Sequence, residues 1–137
     1  MYNKIIVPMA LDHGIGEAAL KIARVLLNDG GSIIALHVHE APSGTVSAYL
    51  DEDVVREAFK KAKAKLEDRV KDSANVAALV TKGHSGRGII DVAAQQSADC
   101  IVIGSHKPGL IDYLLGSTAA RVVRHAHCAV HVLRDPN

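Results

Sequence analysis

The sequence predicts an α/β fold, a doubly wound, five-stranded parallel sheet with helices on both faces, and three observations carry that prediction. Short β-branched apolar runs recur along the chain, amphipathic stretches of helical period separate them, and the runs are continuously apolar instead of alternating. Continuous runs mark strands covered on both faces, which is the habit of parallel sheets. Strict alternation of strand and helix supplies the crossovers that parallel neighbours need.

The elements follow in order. Residues 4–10 (KIIVPMA) form a first strand closed by Pro8. Residues 16–28 place Ala19, Ile22, Ala23, Leu26 and Leu27 at three-and-four spacing, and Asp29-Gly30-Gly31 supplies a glycine stop. Residues 33–38 (IIALHV) are a second strand. Residues 51–73 are the longest periodic stretch, with Val55, Phe59, Ala62, Leu66 and Val70 on one stripe and the lysines on a solvated face. A third strand at 75–82 (NVAALVTK), a helix at 86–97, a fourth strand at 100–103 (CIVI), a helix at 117–126 introduced by Gly116, and a fifth strand from Ala129 complete a β-α-β-α-β-α-β-α-β order.

Composition bounds the function. A chain of 137 residues is one domain, here residues 1–137, and buries roughly two-thirds of its unfolded surface. Hydrophobic residues at 48% and charged residues at 23% are ordinary for a folded domain. A net charge of +1 provides no global field to hold nucleic acid or an anionic membrane, so an anion must be bound locally. Aromatic residues at 3%, with no Trp and only Phe59 as phenylalanine, remove the stacking platforms of single-strand binders; no nucleic-acid partner is expected. Two cysteines make no disulfide framework, and Cys100 reads as a small buried hydrophobe. No secretory leader is visible after Met1 and no apolar run has the length to span a bilayer, so the expected location is the cytoplasm, away from the membrane.

In a doubly wound sheet ligands sit beyond the carboxyl ends of the strands, which directs attention to the loops after Pro8, Val38, Lys82 and Ile103. The densest candidate is Gly104-Ser105-His106-Lys107-Pro108-Gly109, running on to Gly116-Ser117-Thr118 at a helix start. Glycines let the backbone approach an anion, and first-turn amides with the helix dipole would hold phosphate oxygens. An ordinary strand-to-helix connection with Ser117 as N-cap accounts for the same spacing, and both readings stand. Gly104 and Gly109 have P-loop glycine spacing, but Leu110 and Ile111 replace its Lys and Ser/Thr, which excludes a Walker site. Gly83-His84-Ser85-Gly86-Arg87-Gly88 departs from the dinucleotide fingerprint; a plain turn is favoured there over a second anion-friendly helix start.

Eight histidines raise a metal site, with His37 and His39 on one strand face and His125, His127 and Cys128 near the end. No recurrent ligand spacing accompanies them, and no metal is expected. Ser105 beside His106 lacks an orienting acid for nucleophilic catalysis. Asp12, Glu40 and Asp112 are candidates for ribose or magnesium, with exposed loop carboxylates the simpler reading of each.

Taken together, IIVPMA, ALHVHE, the Gly83 turn and above all GSHKPGLIDYLLGSTAARVVRHAHCAVHVLR resemble the universal stress protein family over nearly the whole chain. The resemblance implies a Rossmann-like sheet of order 3-2-1-4-5, ATP or another adenine nucleotide as ligand with magnesium as its companion ion, and a homodimer paired through the last strand, Ala129 to Leu133. It places the pocket on Pro8, Met9, Ala10, Val38, Ile103, Gly104, Ser105, His106, Lys107, Gly109, Gly116, Ser117 and Thr118. ATP-binding members read G-x-x-G, nine residues, then Gly with Ser or Thr; here Lys107 stands at the second glycine and the loop is one residue shorter. The form is similar to the subgroup of enterobacterial stress proteins F and G, whose loop begins Ser-His-Arg-Pro, and Lys107 is then a phosphate contact. Many nucleotide-binding members have Asp where Ala10 stands, and Asp12 offers a replacement acceptor.

These readings make the chain a cytoplasmic, dimeric, adenine-nucleotide-binding protein of the stress response that signals through a protein partner. The alternatives are a nucleotide-independent interaction module of the same fold, or a slow ATPase or self-phosphorylating protein with Ser117, Thr118 or His106 as acceptor. No catalytic constellation supports the enzyme.

Overall fold

A computed structural model describes residues 1–11, 15–40, 51–105 and 115–134. Asp12, the 45–50 segment, His106, Lys107, Gly109 and Asp112 lie outside the described residues.

Five strands form one parallel sheet: β1 (Tyr2–Pro8), β2 (Leu27–His39), β3 (Val76–Lys82), β4 (Cys100–Gly104) and β5 (Ala129–Leu133). Their order is β3-β2-β1-β4-β5, as expected, with α1 (Ile15–Leu26), α2 (Glu52–Val70), α3 (Ser85–Gln95) and α4 (Ser117–His125) as connections. The pleat sorts the strand side chains. Ile5, Val7, Ile33, Ala35, Cys100 and Val102 pack on one face against Ala19, Leu20 and Ala23 of α1 and Leu66 and Val70 of α2. Ile6, Ile34, Leu36, Val38, Ile101 and Ile103 pack on the other against Ile89, Val92 and Ala93 of α3 and Ala119 and Val122 of α4. Both faces are covered, which is why the runs are continuously apolar.

Two boundaries differ from the sequence reading. The first helix ends at Leu26, two residues before the predicted end, and β2 begins at once at Leu27, six residues before the predicted strand. The pairing jumps from Tyr2 with Leu27 to Lys4 with Ser32, and Gly30, at φ 80°, turns the chain within that irregular stretch. The glycine pair therefore shapes the entry of the strand instead of capping the helix. The long helix keeps its predicted stripe: Asp51 caps it through a bond from the Asp53 amide (3.0 Å), Ala62, Leu66 and Val70 are buried, and Val55 and Phe59 are half-buried.

Cys100 is buried, and that burial pushes its thiol up to about 11, so it packs as a hydrophobe. No helix among the described residues is long and apolar enough to cross a membrane.

The amino ends of β1 and β4 are fastened by Asp99. Its carboxylate accepts from the amides of Asn3 (2.9 Å) and Lys4 (3.0 Å), while its own amide donates to the Lys4 carbonyl (3.0 Å). Burial works to raise the Asp99 carboxyl, but those amide bonds outweigh it and hold the group below its ordinary value of 3.8. The stabilisation is complete above that ordinary value and is lost as pH falls through the lower folded value. Asp99→Asn is expected to cost about 1 kcal/mol at neutral pH. In urea unfolding repeated down the acid range, the gap between wild type and variant should close as the carboxylate protonates.

Candidate functional site

The carboxyl end of β1 opens a crevice because both of its ladders stop there. Main-chain groups of successive strand residues point alternately to the two neighbours. The Met9 amide donates to the Leu36 carbonyl (2.8 Å), so odd residues of β1 face β2, and the Asp99–Lys4 bond shows even residues facing β4. Pro8 therefore turns its missing N–H toward β4, and the registered pairs between these strands end at Ile5 with Cys100 and Ile6 with Ile101. On the other side, the Met9 carbonyl accepts a bond from His37 Nδ1 (3.1 Å), and a carbonyl can only accept, so Nδ1 carries the proton. The strands part at the point where the order of the sheet reverses.

The crevice has a volume of about 660 Å³, within the range of small-molecule sites. Ten of the candidate residues line it together: Pro8, Met9, Ala10, Val38, Ile103, Gly104, Ser105, Gly116, Ser117 and Thr118. The other three, His106, Lys107 and Gly109, lie outside the described residues. Leu11, Leu36, His37, His39, Glu40, Ala62, Ser85, Ile89 and Ala119 complete the described lining. Of these, period-two spacing singled out His37 and His39, as metal candidates. Among the described residues no three His, Cys, Asp or Glu side chains converge on a metal position.

Ser105 is fully buried, and its main chain is committed to structure. Its amide donates to the Leu133 carbonyl (2.8 Å) and its carbonyl accepts from the Gly116 amide (2.7 Å), tying the ends of β4, β5 and the start of α4 into one corner. The helix starts at Ser117 with Gly116 as its N-cap, in an extended conformation (φ −62°, ψ 156°), so the alternative of Ser117 as N-cap falls, and Gly116 has no side chain to bond the first turn. A helix start leaves its first amides without intrahelical partners, and the residues of this first turn, Ser117, Thr118 and Ala119, line the crevice.

A second helix start, that of α3, is filled. Glu40 Oε1 accepts from the Ser85 amide (3.1 Å) and from Ser85 Oγ (2.7 Å). The turn at 83–88 is thus an anion-binding helix start after all, whose anion is the chain's own carboxylate, and Glu40 is a capping group and not a loose loop residue. Sequence alone gave no signal for this pair, which joins the end of β2 to the start of α3 across 45 positions. Gly88 lets α3 approach β2, since a Cβ there would stand 3.0 Å from both Val38 Cγ atoms.

Behind the lining on the α2 side stand cationic and aromatic side chains. Arg69 of α2 reaches the main chain after β1, with Nη1 donating to the Ala10 carbonyl (2.8 Å) and Nη2 to the Leu11 carbonyl (3.3 Å). His39 meets the Phe59 ring edge-on at 6.0 Å, and Lys82 Nζ stands 4.9 Å from the centre of that ring.

Compared with known proteins, residues 1–134 match the Universal stress protein family. Universal stress protein G of Shigella flexneri is 29% identical over 143 residues, covering 98% of this chain and all of that protein. Among solved structures, hypothetical protein MJ0577 superposes with a TM-score of 0.82 at 25% identity, covering 100% of this chain and 99% of the other. A universal stress protein in complex with cAMP has a TM-score of 0.70 at 20% identity, each chain covered to 97%. One from Archaeoglobus fulgidus in complex with dAMP has 0.63 at 22%, over 97% of this chain and 98% of that one.

The Glu40–Ser85 cap sets an expectation of its own. Glu40→Ala should lower the unfolding free energy by about 1 kcal/mol, since the Ser85 donors pass to water at a helix start. Ser85→Ala added to it should cost less than the two single changes together, which a double-mutant cycle by urea unfolding measures.

Proposed function

The chain belongs to the universal stress protein family, and on that premise we propose that it binds an adenine nucleotide, ATP first among them with its magnesium, and acts as a dimeric stress-response protein whose occupancy a protein partner reads. The observation that carries the reading is the polarity of the crevice. Of two helix starts on its wall, that of α3 holds the Glu40 carboxylate and that of α4 begins at an N-cap without a side chain. An anionic group is attracted to the second and repelled from the first, so phosphates belong at Gly116, Ser117 and Thr118. The uncharged end of the ligand then lies against β2.

At that end Val38 offers main-chain groups. Even residues of β2 face β1, as the Met9–Leu36 bond shows, and β1 has ended opposite Val38. Its N–H and C=O are a donor and an acceptor side by side, matching N1 and the N6 amino group of adenine; hypoxanthine carries the reverse order. With the phosphates fixed at α4, the base cannot turn over to compensate. The cAMP and dAMP held by structures of the same fold carry the same base. Magnesium enters this reading only as the companion of ATP.

The test is mass spectrometry of small molecules released from freshly purified protein, followed by titration of the stripped protein with ATP, ADP and AMP. Adenine nucleotide in the preparation, or a rise in melting temperature with ATP, is the expected result. Failure of both at millimolar ATP removes the reading and leaves the nucleotide-independent module, which Ala10 favours by offering no side-chain acceptor. Ser117→Pro probes the phosphate end. Proline fits the first helical position after an extended Gly116, and it deletes one amide. ATP affinity should fall roughly tenfold or more while adenosine affinity holds, with Ser117→Ala as the control for the hydroxyl.

The homodimer rests on β5. Its Leu133 carbonyl faces β4, so Val130 and Val132 turn their main-chain groups to the open edge of the sheet. Val132→Pro removes one outward N–H and no bond to β4, and should shift the protein from dimer to monomer in sedimentation analysis while the fold is kept.

A further inference from the structure

In the register of β1 with β2, the Leu36 carbonyl takes the Met9 amide, and the next rung would carry the Val38 amide to the Met9 carbonyl. That rung is absent among the described residues, although the two groups are one step beyond the last formed pair, Pro8 with Leu36. The Met9 carbonyl accepts from His37 Nδ1 instead, at 3.1 Å.

We infer that His37 is a positioning residue: by drawing the Met9 carbonyl toward its ring it holds that oxygen off the next rung, ends the β1–β2 ladder one rung early and keeps the Val38 main-chain edge open to a ligand. An unpaired N–H at a site only 8% exposed is costly, and a strand pair that can zip further will do so unless something holds its acceptor. The imidazole is well placed to hold it. Its ring lies 6.3 Å from that of His39 and lines the crevice, so it is supported on one side and faces the ligand space on the other. Affinity for adenine over hypoxanthine would then depend on a residue that never has to touch the base. The ladder part of the inference concerns the empty protein alone; the ligand part rests on the nucleotide reading above.

Amide hydrogen exchange followed by NMR tests the ladder without any nucleotide. In the empty wild-type protein the Val38 amide should exchange roughly 100-fold faster than the Leu36 amide, which is bonded within the ladder. His37→Phe keeps the ring volume and removes the donor, and should slow Val38 to within roughly tenfold of Leu36 with the melting temperature unchanged or raised. His37→Asn, whose Nδ2 stands where Nδ1 stood, should restore fast exchange at Val38. In titration, His37→Phe should weaken ATP about tenfold and erase the preference for ATP over ITP, while His37→Asn keeps both. A Val38 amide protected in the empty wild type, or one still fast in His37→Phe, overturns the inference. Wild type that binds no adenine nucleotide sinks the functional reading and leaves the exchange result to decide the ladder by itself.

Discussion

The structure depends on where the central strand stops. β1 is buried at Ile5, Ile6 and Val7 and has a neighbour on each edge, paired with β4 at Ile5 and Ile6 and with β2 as far as Pro8. Proline cannot donate toward β4, and two bonds later His37 takes the carbonyl that would have continued toward β2. A sheet that stays zipped to its end leaves no room between β1 and its neighbours. One that is unzipped on both sides at the same level leaves a crevice with main-chain groups on its floor.

On the proposed reading, what enters that crevice is decided by the two helix starts that line it. A chain with a net charge of +1 has no general attraction for anions, and its described ion pairs are exposed neighbours on helices, which contribute little. Attraction has to be local. Filling one helix start with Glu40, while the N-cap of the other, Gly116, has no side chain to fill it, sets a dipole across the site with no excess charge on the protein. Had Glu40 been an amide or an apolar residue, both starts would compete for the same phosphate and the ligand could lie in either direction.

The strands and helices were legible because burial on both faces is written into composition. IIVP, IIALHV and CIVI have no polar residue to place outside, apart from His37. Pro8, Val38 and Gly116 were legible as crevice residues because ligands of a doubly wound sheet sit beyond the carboxyl ends of its strands, and the family resemblance put a pocket on these positions. Side-chain bonds across the site were not. The Glu40–Ser85 cap and the Arg69 clamp on Ala10 and Leu11 join groups 45 and 59 positions apart, and each depends on register and on how far a long side chain reaches. The same holds for the start of β2: residues 27–32 look like a helix stop, and only pairing with Tyr2 and Lys4 makes them strand.

Arg69 bears on how the site tolerates an alanine at position 10. With no side-chain acceptor at Ala10, the guanidinium of α2 bonds the main-chain carbonyls of Ala10 and Leu11, using its fork geometry on two successive oxygens. The turn after β1 is thereby held to the C-terminal end of α2, whose N-terminal half carries Phe59 beside His39 and Lys82. The crevice wall on that side is therefore continuous with one long helix. Displacement of the Ala10–Leu11 main chain by a ligand would act on α2 through two charge-assisted bonds, which are stronger than neutral ones and directional.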